Sequence, residues 1–144
     1  MFVVVQGLLF LAVAVLAMVP GPTLFASLAG GLGLVAAGSL LVAASARLLG
    51  RALTPNPVPN GAGLVAAGVY RWARHPMYSG LVVICLGVAV GTGAQRSYMA
   101  VAVLAVFFMV KARFEEHHLL RTYPGYAEYA AVTGRFVPGV GRLR

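Results

Sequence analysis

The chain is predicted to be an all-α integral membrane protein with about four transmembrane helices, a C-terminal helical hairpin and an interfacial C-terminal helix. Three observations carry this prediction. Hydrophobic residues make up 60% of the 144 residues and charged residues only 10%, and the mean hydropathy of +0.89 places the chain in the membrane class. The apolar residues come in runs close to the ~20 residues needed to cross a bilayer. Finally, in a four-span arrangement every Lys and Arg except Arg96 falls on one side, the bias that marks the cytoplasmic face. Both termini are therefore expected in the cytoplasm. The net charge of +8 sits beside apolar spans, which points to membrane lipids of the anionic cytoplasmic leaflet and not to nucleic acid. Cys85 is the only cysteine and can form no internal disulfide.

Residues 2–19 carry one polar side chain, Gln6, and lack a basic segment before the apolar run, so they read as a retained first span and not a signal peptide. Pro20, Gly21 and Pro22 break that helix. A second span is expected from about Leu24 to Leu49. Its Gly30, Gly31, Gly33, Gly38, Ser39, Ala43 and Ala44 form a small-residue face suited to close packing on a neighbour. Residues 55–61, with three prolines, cannot continue a helix and read as a linker. The third span is expected from about Met77 to Ala94 and the fourth from about Ser97 to Val110, joined at Gln95-Arg96 as a hairpin. The fourth should run on through KARFEEHHLLRTY, which has no breaker before Pro124. Tyr126 and Tyr129 then lie three apart on a short interfacial helix.

Two polar stretches fall at the same membrane surface. The first is VYRWARHPMYSG, residues 69–80. Pro76 suits the first turn of a helix, which puts His75 at the cap. The free N–H groups and dipole of that helix start favour an anion, with Arg71 and Arg74 in reach. Tyr70, Trp72 and Tyr78 offer flat faces for a ring or a cation. Arg, Trp and Tyr are also the ordinary anchors of a membrane helix at the water boundary, so both readings stand. The second stretch contains Glu115 and Glu116, two of only three acidic residues. Lys111, Glu115 and Leu119 share one helical stripe, and Arg113, Glu116 and His117 another. The acids either pair with Lys111 and Arg113 or serve a ligand carrying both charges. A metal is not expected, because adjacent His117 and His118 point ~100° apart, unlike the i and i+4 histidines of helical zinc motifs.

Taken together, GVYRWARHPMYSG, EEHHL and YAEY followed by RFVP resemble the isoprenylcysteine carboxyl methyltransferase family and the related small membrane methyltransferases, phospholipid N-methyltransferases among them. The resemblance covers about residues 60–138. It implies a single domain over 1–144, in which residues 1–50 give two packing spans and 60–138 a core that binds S-adenosylmethionine. Cofactor contacts carried over by motif fall on Gly63, Leu64, Val65, Tyr70, His75, Pro76, Met77, Tyr78 and Glu115. Lys111 stands where the family has a basic residue for the substrate carboxylate, and Arg113 and Glu116 are further candidates at the acceptor. The implied activity is methyl transfer to a lipophilic acceptor, most simply the carboxylate of a prenylated molecule, with a phospholipid amine as the alternative. The segment Tyr123-Pro124-Gly125-Tyr126 is one residue shorter than the family pattern, which bears on the acceptor more than on the cofactor. An NADPH-dependent membrane reductase and a non-catalytic membrane subunit are the two other readings.

Overall fold

The structure is a computed structural model that describes residues 1–50 and 63–143. Among these there are five α-helices and no strand: α1 (Phe2–Met18), α2 (Leu28–Leu49), α3 (Pro76–Thr92), α4 (Gln95–Thr122) and α5 (Tyr126–Val132), with a 3-10 turn at Gly68–Arg71 before α3. The linker expected at 55–61 lies outside the described residues.

Two helices, α2 and α4, are long and apolar enough to cross a membrane, whereas α1 and α3 are shorter apolar helices. At ~1.5 Å per residue, their 17 residues reach about 25 Å, below the ~30 Å hydrocarbon thickness. Large apolar side chains nonetheless face outward on α1, α2 and α4. Leu8, Leu40 and Val106 are each more than half exposed, at 60%, 72% and 58%, as lipid permits and water does not.

The helices pack through two different surfaces. Between α2 and α3 the contact is backbone on backbone: a Cβ on Gly31 would stand 2.6 Å from the Gly87 carbonyl, and one on Gly87 would stand 2.7 Å from the Gly31 carbonyl. Only glycine at both positions allows that approach, which explains the small face of α2. On the other side, Val13 of α1, Cys85 and Ala89 of α3, and Ala100, Leu104 and Phe108 of α4 form the buried apolar core. Ser97 fastens α4 to α1 by donating its hydroxyl to the Val13 carbonyl at 3.2 Å.

Two boundaries differ from expectation. The α3–α4 connection is Gly93-Ala94, and Gln95 and Arg96 already belong to α4. Gly93 takes a left-handed conformation, φ 70°, and its N–H closes α3 on the Ala89 carbonyl, an ending that a residue with a Cβ resists. At its other boundary, α2 starts at Leu28 and not near Leu24. Ser27 caps it by accepting from the Gly30 N–H at 3.1 Å, and the preceding residues run extended along the hairpin, with Leu24 N–H on Gly93 O at 2.7 Å and Ser27 N–H on Val90 O at 2.8 Å. α4 itself is one unbroken helix through Glu115 and Glu116 to Thr122.

Beyond α5 the tail folds back over the start of α3. Arg74 N–H donates to Gly134 O at 2.8 Å and His75 N–H to Arg135 O at 2.9 Å. This return brings α3, α4 and the tail together at one end of the hairpin.

Candidate functional site

Pro76 begins α3 and His75 is its N-cap, without a side-chain cap bond. The first-turn N–H groups of Met77 and Tyr78 therefore have no intrahelical acceptor. Facing them across the bundle, α4 presents two adjacent acids roughly 100° apart on the helix, and this angle gives them different surroundings.

Glu116 is buried and lies at the centre of an ion cluster. Arg74 donates from Nε to Glu116 Oε1 at 3.0 Å, and its Nη2 lies 2.9 Å from the same oxygen. Arg135 reaches both carboxylate oxygens, with Nη2 on Oε2 at 2.8 Å. His75 Nε2 stands 3.2 Å from Oε1. The rest of the Arg74 guanidinium is committed to main-chain carbonyls of Ala130, Thr133 and Gly141. With two arginines against one carboxylate, the cluster is net positive even with His75 neutral. Breaking a buried pair of this kind by removing one partner costs about 3–5 kcal/mol.

Glu115 is only partly covered, its side chain 26% exposed. It accepts the Tyr78 hydroxyl at 2.8 Å, and its Oε2 lies 3.7 Å from His75 Nδ1. The imidazole thus stands between the two acids. It also stacks on Tyr78, with ring centroids 5.3 Å apart at 5°, and Tyr78 stacks in turn on Phe108 at 4.7 Å.

Two cavities share Tyr78 as a lining residue. One, of about 60 Å³, is the more polar of the two and is lined by Leu49, Tyr70, Arg74, His75, Met77, Tyr78 and Glu115. It offers a carboxylate on one side and a helix start beside a net positive cluster on the other, a combination suited to a zwitterionic head group. The second, of about 290 Å³, is apolar and is lined by Tyr78, Ser79, Val82 and Val83 of α3, Ala105, Phe108 and Met109 of α4, and Phe136 and Val137 of the tail. The Ser79 hydroxyl is already bonded to the Phe136 carbonyl at 2.8 Å.

The structure brings Tyr70, His75, Met77, Tyr78 and Glu115 to one cavity. Pro76 is buried beneath them. Gly63, Leu64 and Val65 are not among its lining residues; Gly63 N–H instead meets the Tyr123 hydroxyl at 3.3 Å. Lys111 is 1% exposed, lines neither cavity, donates to Gln6 Oε1 at 2.7 Å and lies 5.2 Å over the Tyr78 ring. Arg113 is exposed. Arg71 packs on Trp72 at 5.6 Å, and Trp72 is 60% exposed, so this pair is placed like an interfacial anchor.

Three features escaped sequence reasoning: the Arg135–Glu116 fork, the Phe136–Val137 cavity wall and the Gln6–Lys111 pair. For the last a signal existed, since Gln6 is the lone polar side chain of an otherwise apolar helix and Lys111 the lone lysine. Around the site, Tyr129 donates to the Tyr70 carbonyl at 2.6 Å. Burial pushes the Tyr129 phenol up to about 12, opposed by Arg74. Burial likewise raises Tyr70 and Tyr126, so all three remain neutral at physiological pH.

The phospholipid methyltransferase family model matches residues 26–125. The cobalt-zinc-cadmium resistance protein CzcN of Cupriavidus metallidurans is 38% identical over 86 residues, which cover 56% of this chain and 38% of that protein. Protein-S-isoprenylcysteine O-methyltransferase B of Arabidopsis thaliana is 38% identical over 79 residues, 54% of this chain and 40% of that protein. The nickel-cobalt-cadmium resistance protein NccN of Alcaligenes xylosoxydans xylosoxydans is 36% identical over 87 residues, 56% of this chain and 38% of that protein. These matches span about two fifths of the length of each relative. No solved structure matches the chain. The family match contains α2, α3, α4 and both acids, more than half of the chain, and on that basis the chain belongs to the phospholipid methyltransferase family.

Proposed function

We propose that the chain transfers a methyl group from S-adenosylmethionine to a lipophilic acceptor at the cytoplasmic face of the membrane. The observation that carries this reading is that a cavity with charged lining groups and an apolar cavity lie on either hand of one residue, Tyr78, which lines both. A charged donor and a lipid-soluble acceptor need two such compartments.

The polar cavity suits one end of the cofactor. A volume of about 60 Å³ is small against the whole cofactor, so this cavity would take its amino-acid head alone. Glu115 would take the ammonium, and the first turn of α3 beside the positive cluster the carboxylate. Tyr70 and Tyr78 offer ring faces to a cation. Met77 lines the same cavity and Pro76 sets the helix start. Gly63, Leu64 and Val65 would have to contact a part of the cofactor beyond this cavity.

When bound, S-adenosylmethionine would supply an electrophilic methyl group, and a carboxylate acceptor, carrying no proton to lose, would need no base from the protein. The protein's task is then alignment and exclusion of water. Lys111, held behind Tyr78, and Arg113, at the exposed surface, would act on an anionic acceptor through their charge and not as cavity-lining groups. Glu116 acts by holding Arg74, His75 and Arg135 in place. The name of the Arabidopsis relative supports an isoprenylcysteine-type carboxylate. The family name supports a phospholipid amine, which must lose a proton, and His75 and Glu115 are the adjacent bases for it.

The reading includes four membrane crossings, the short α1 and α3 being accommodated by local thinning. Reporter fusions after residue 144 should give a cytoplasmic signal and fusions at Arg96 the opposite one. Activity is tested with methyl-labelled S-adenosylmethionine and each acceptor class. Base-labile label in a prenylcysteine is the expected result; base-stable label confined to phospholipid would reassign the acceptor, and no transfer to either would refute the activity.

A further inference from the structure

We propose that the C-terminal strap, residues 133–143, selects the acceptor, with Phe136 setting how bulky a hydrocarbon chain the apolar cavity admits. This rests on the methyl-transfer reading above and assigns acceptor choice to a segment beyond the family match, which ends at residue 125.

The strap is a wall of the cavity and is held firmly. Its main chain accepts from Arg74 N–H and His75 N–H, from the Ser79 hydroxyl at Phe136 O and from Arg74 Nη2 at Gly141 O, 2.9 Å. Its far end returns to α5 through Leu143 N–H on Ala130 O at 3.0 Å. The Arg135 fork on Glu116 anchors the residue immediately before Phe136. Phe136 is thereby fixed in two directions, with its ring 5.8 Å from the His75 ring and also lining the apolar cavity. Val137 continues that wall outward and is 55% exposed.

The occupant follows from the chemistry of the wall. Apart from Tyr78, whose hydroxyl is bonded to Glu115, and Ser79, bonded to the strap, every lining side chain is hydrocarbon or thioether. Such a surface takes a prenyl or acyl chain and penalises a polar one. The chain's reactive head would lie toward Tyr78, where the polar cavity begins. Helices α3 and α4 supply most of the cavity, and the strap closes it from outside the buried core of the hairpin.

The test uses the full chain in detergent with N-acetylcysteine carrying S-geranyl, S-farnesyl or S-geranylgeranyl groups. Phe136→Ala should raise the kcat/KM ratio of the longest to the shortest acceptor about tenfold, and Phe136→Trp should lower it, in line with the discrimination apolar pockets achieve. Affinity for S-adenosylmethionine should stay within about twofold of wild type. Should Phe136→Ala fail to fold, Val137→Phe narrows the outer wall and should lower the ratio. An unchanged ratio in folded, active variants overturns the proposal while leaving methyl transfer standing. A chain-borne diazirine on the same acceptors gives a readout independent of turnover: crosslinks at Phe136–Val137 support the strap even if no methyl is transferred, and crosslinks confined to other segments refute it.

Discussion

The two ends of the α3–α4 hairpin are both closed by backbone bonds, but only one of them adds buried charge. At the Gly93 end the chain is held by backbone bonds, Leu24 and Ser27 N–H on Gly93 and Val90 carbonyls and Gln95 N–H on Pro22 O at 3.1 Å. The one charged residue there, Arg96, lies beside Gly21 at the surface. At the His75 end, closure uses Arg74, His75, Glu116 and Arg135, side chains that are costly to desolvate. Backbone bonds hold the tail at that end as well, Arg74 and His75 N–H on the Gly134 and Arg135 carbonyls, so the buried charges are added to a clamp that already exists. Charge buried where simpler closure is available marks the end that also has work to do, and there the two cavities lie.

The largest expected effect follows directly. Glu116→Gln leaves two arginines facing each other and should cost about 3–5 kcal/mol, read as a large fall in the thermal midpoint in detergent. A midpoint close to wild type would mean that the cluster does not hold the tail. Next, Gly87→Ala drives a methyl into the Gly31 carbonyl across the α2–α3 contact and should cost about 1–3 kcal/mol; equilibrium unfolding in mixed micelles measures it. At the Gly93 end, Ser27→Ala removes a helix cap and should cost about 1 kcal/mol. If Ser27→Ala proved as damaging as Glu116→Gln, the contrast between the ends would collapse.

Much of the frame is legible in the sequence because it depends on local features. Pro76 fixes the start of α3, and the lack of a breaker between Lys111 and Thr122 carries α4 unbroken through both acids. The glycines of α2 announce a close contact. What is not legible depends on the tail's return. Arg135 and Arg74 lie 19 and 42 residues from Glu116, and nothing in their own neighbourhoods says that they converge. The equal-looking pair Glu115-Glu116 separates only when α4 is seen against α3, since one helix step turns one acid into the cluster and the other into the cavity. A turn at Gln95-Arg96 is off by two residues because a left-handed Gly93, and not the polar pair, ends α3.

That division of the two acids is the core of the account, and calorimetric titration of S-adenosylmethionine into wild type and Glu115→Gln measures it most directly. The amide oxygen that this substitution introduces can still accept the Tyr78 hydroxyl, so the variant should unfold at nearly the wild-type temperature. Loss of a charge-assisted contact to the cofactor ammonium should weaken binding by about 1.5–3 kcal/mol, roughly tenfold to a hundredfold. Wild-type binding with that selective loss is the predicted result. Equal affinity in the two proteins would contradict the account and remove Glu115 from the site.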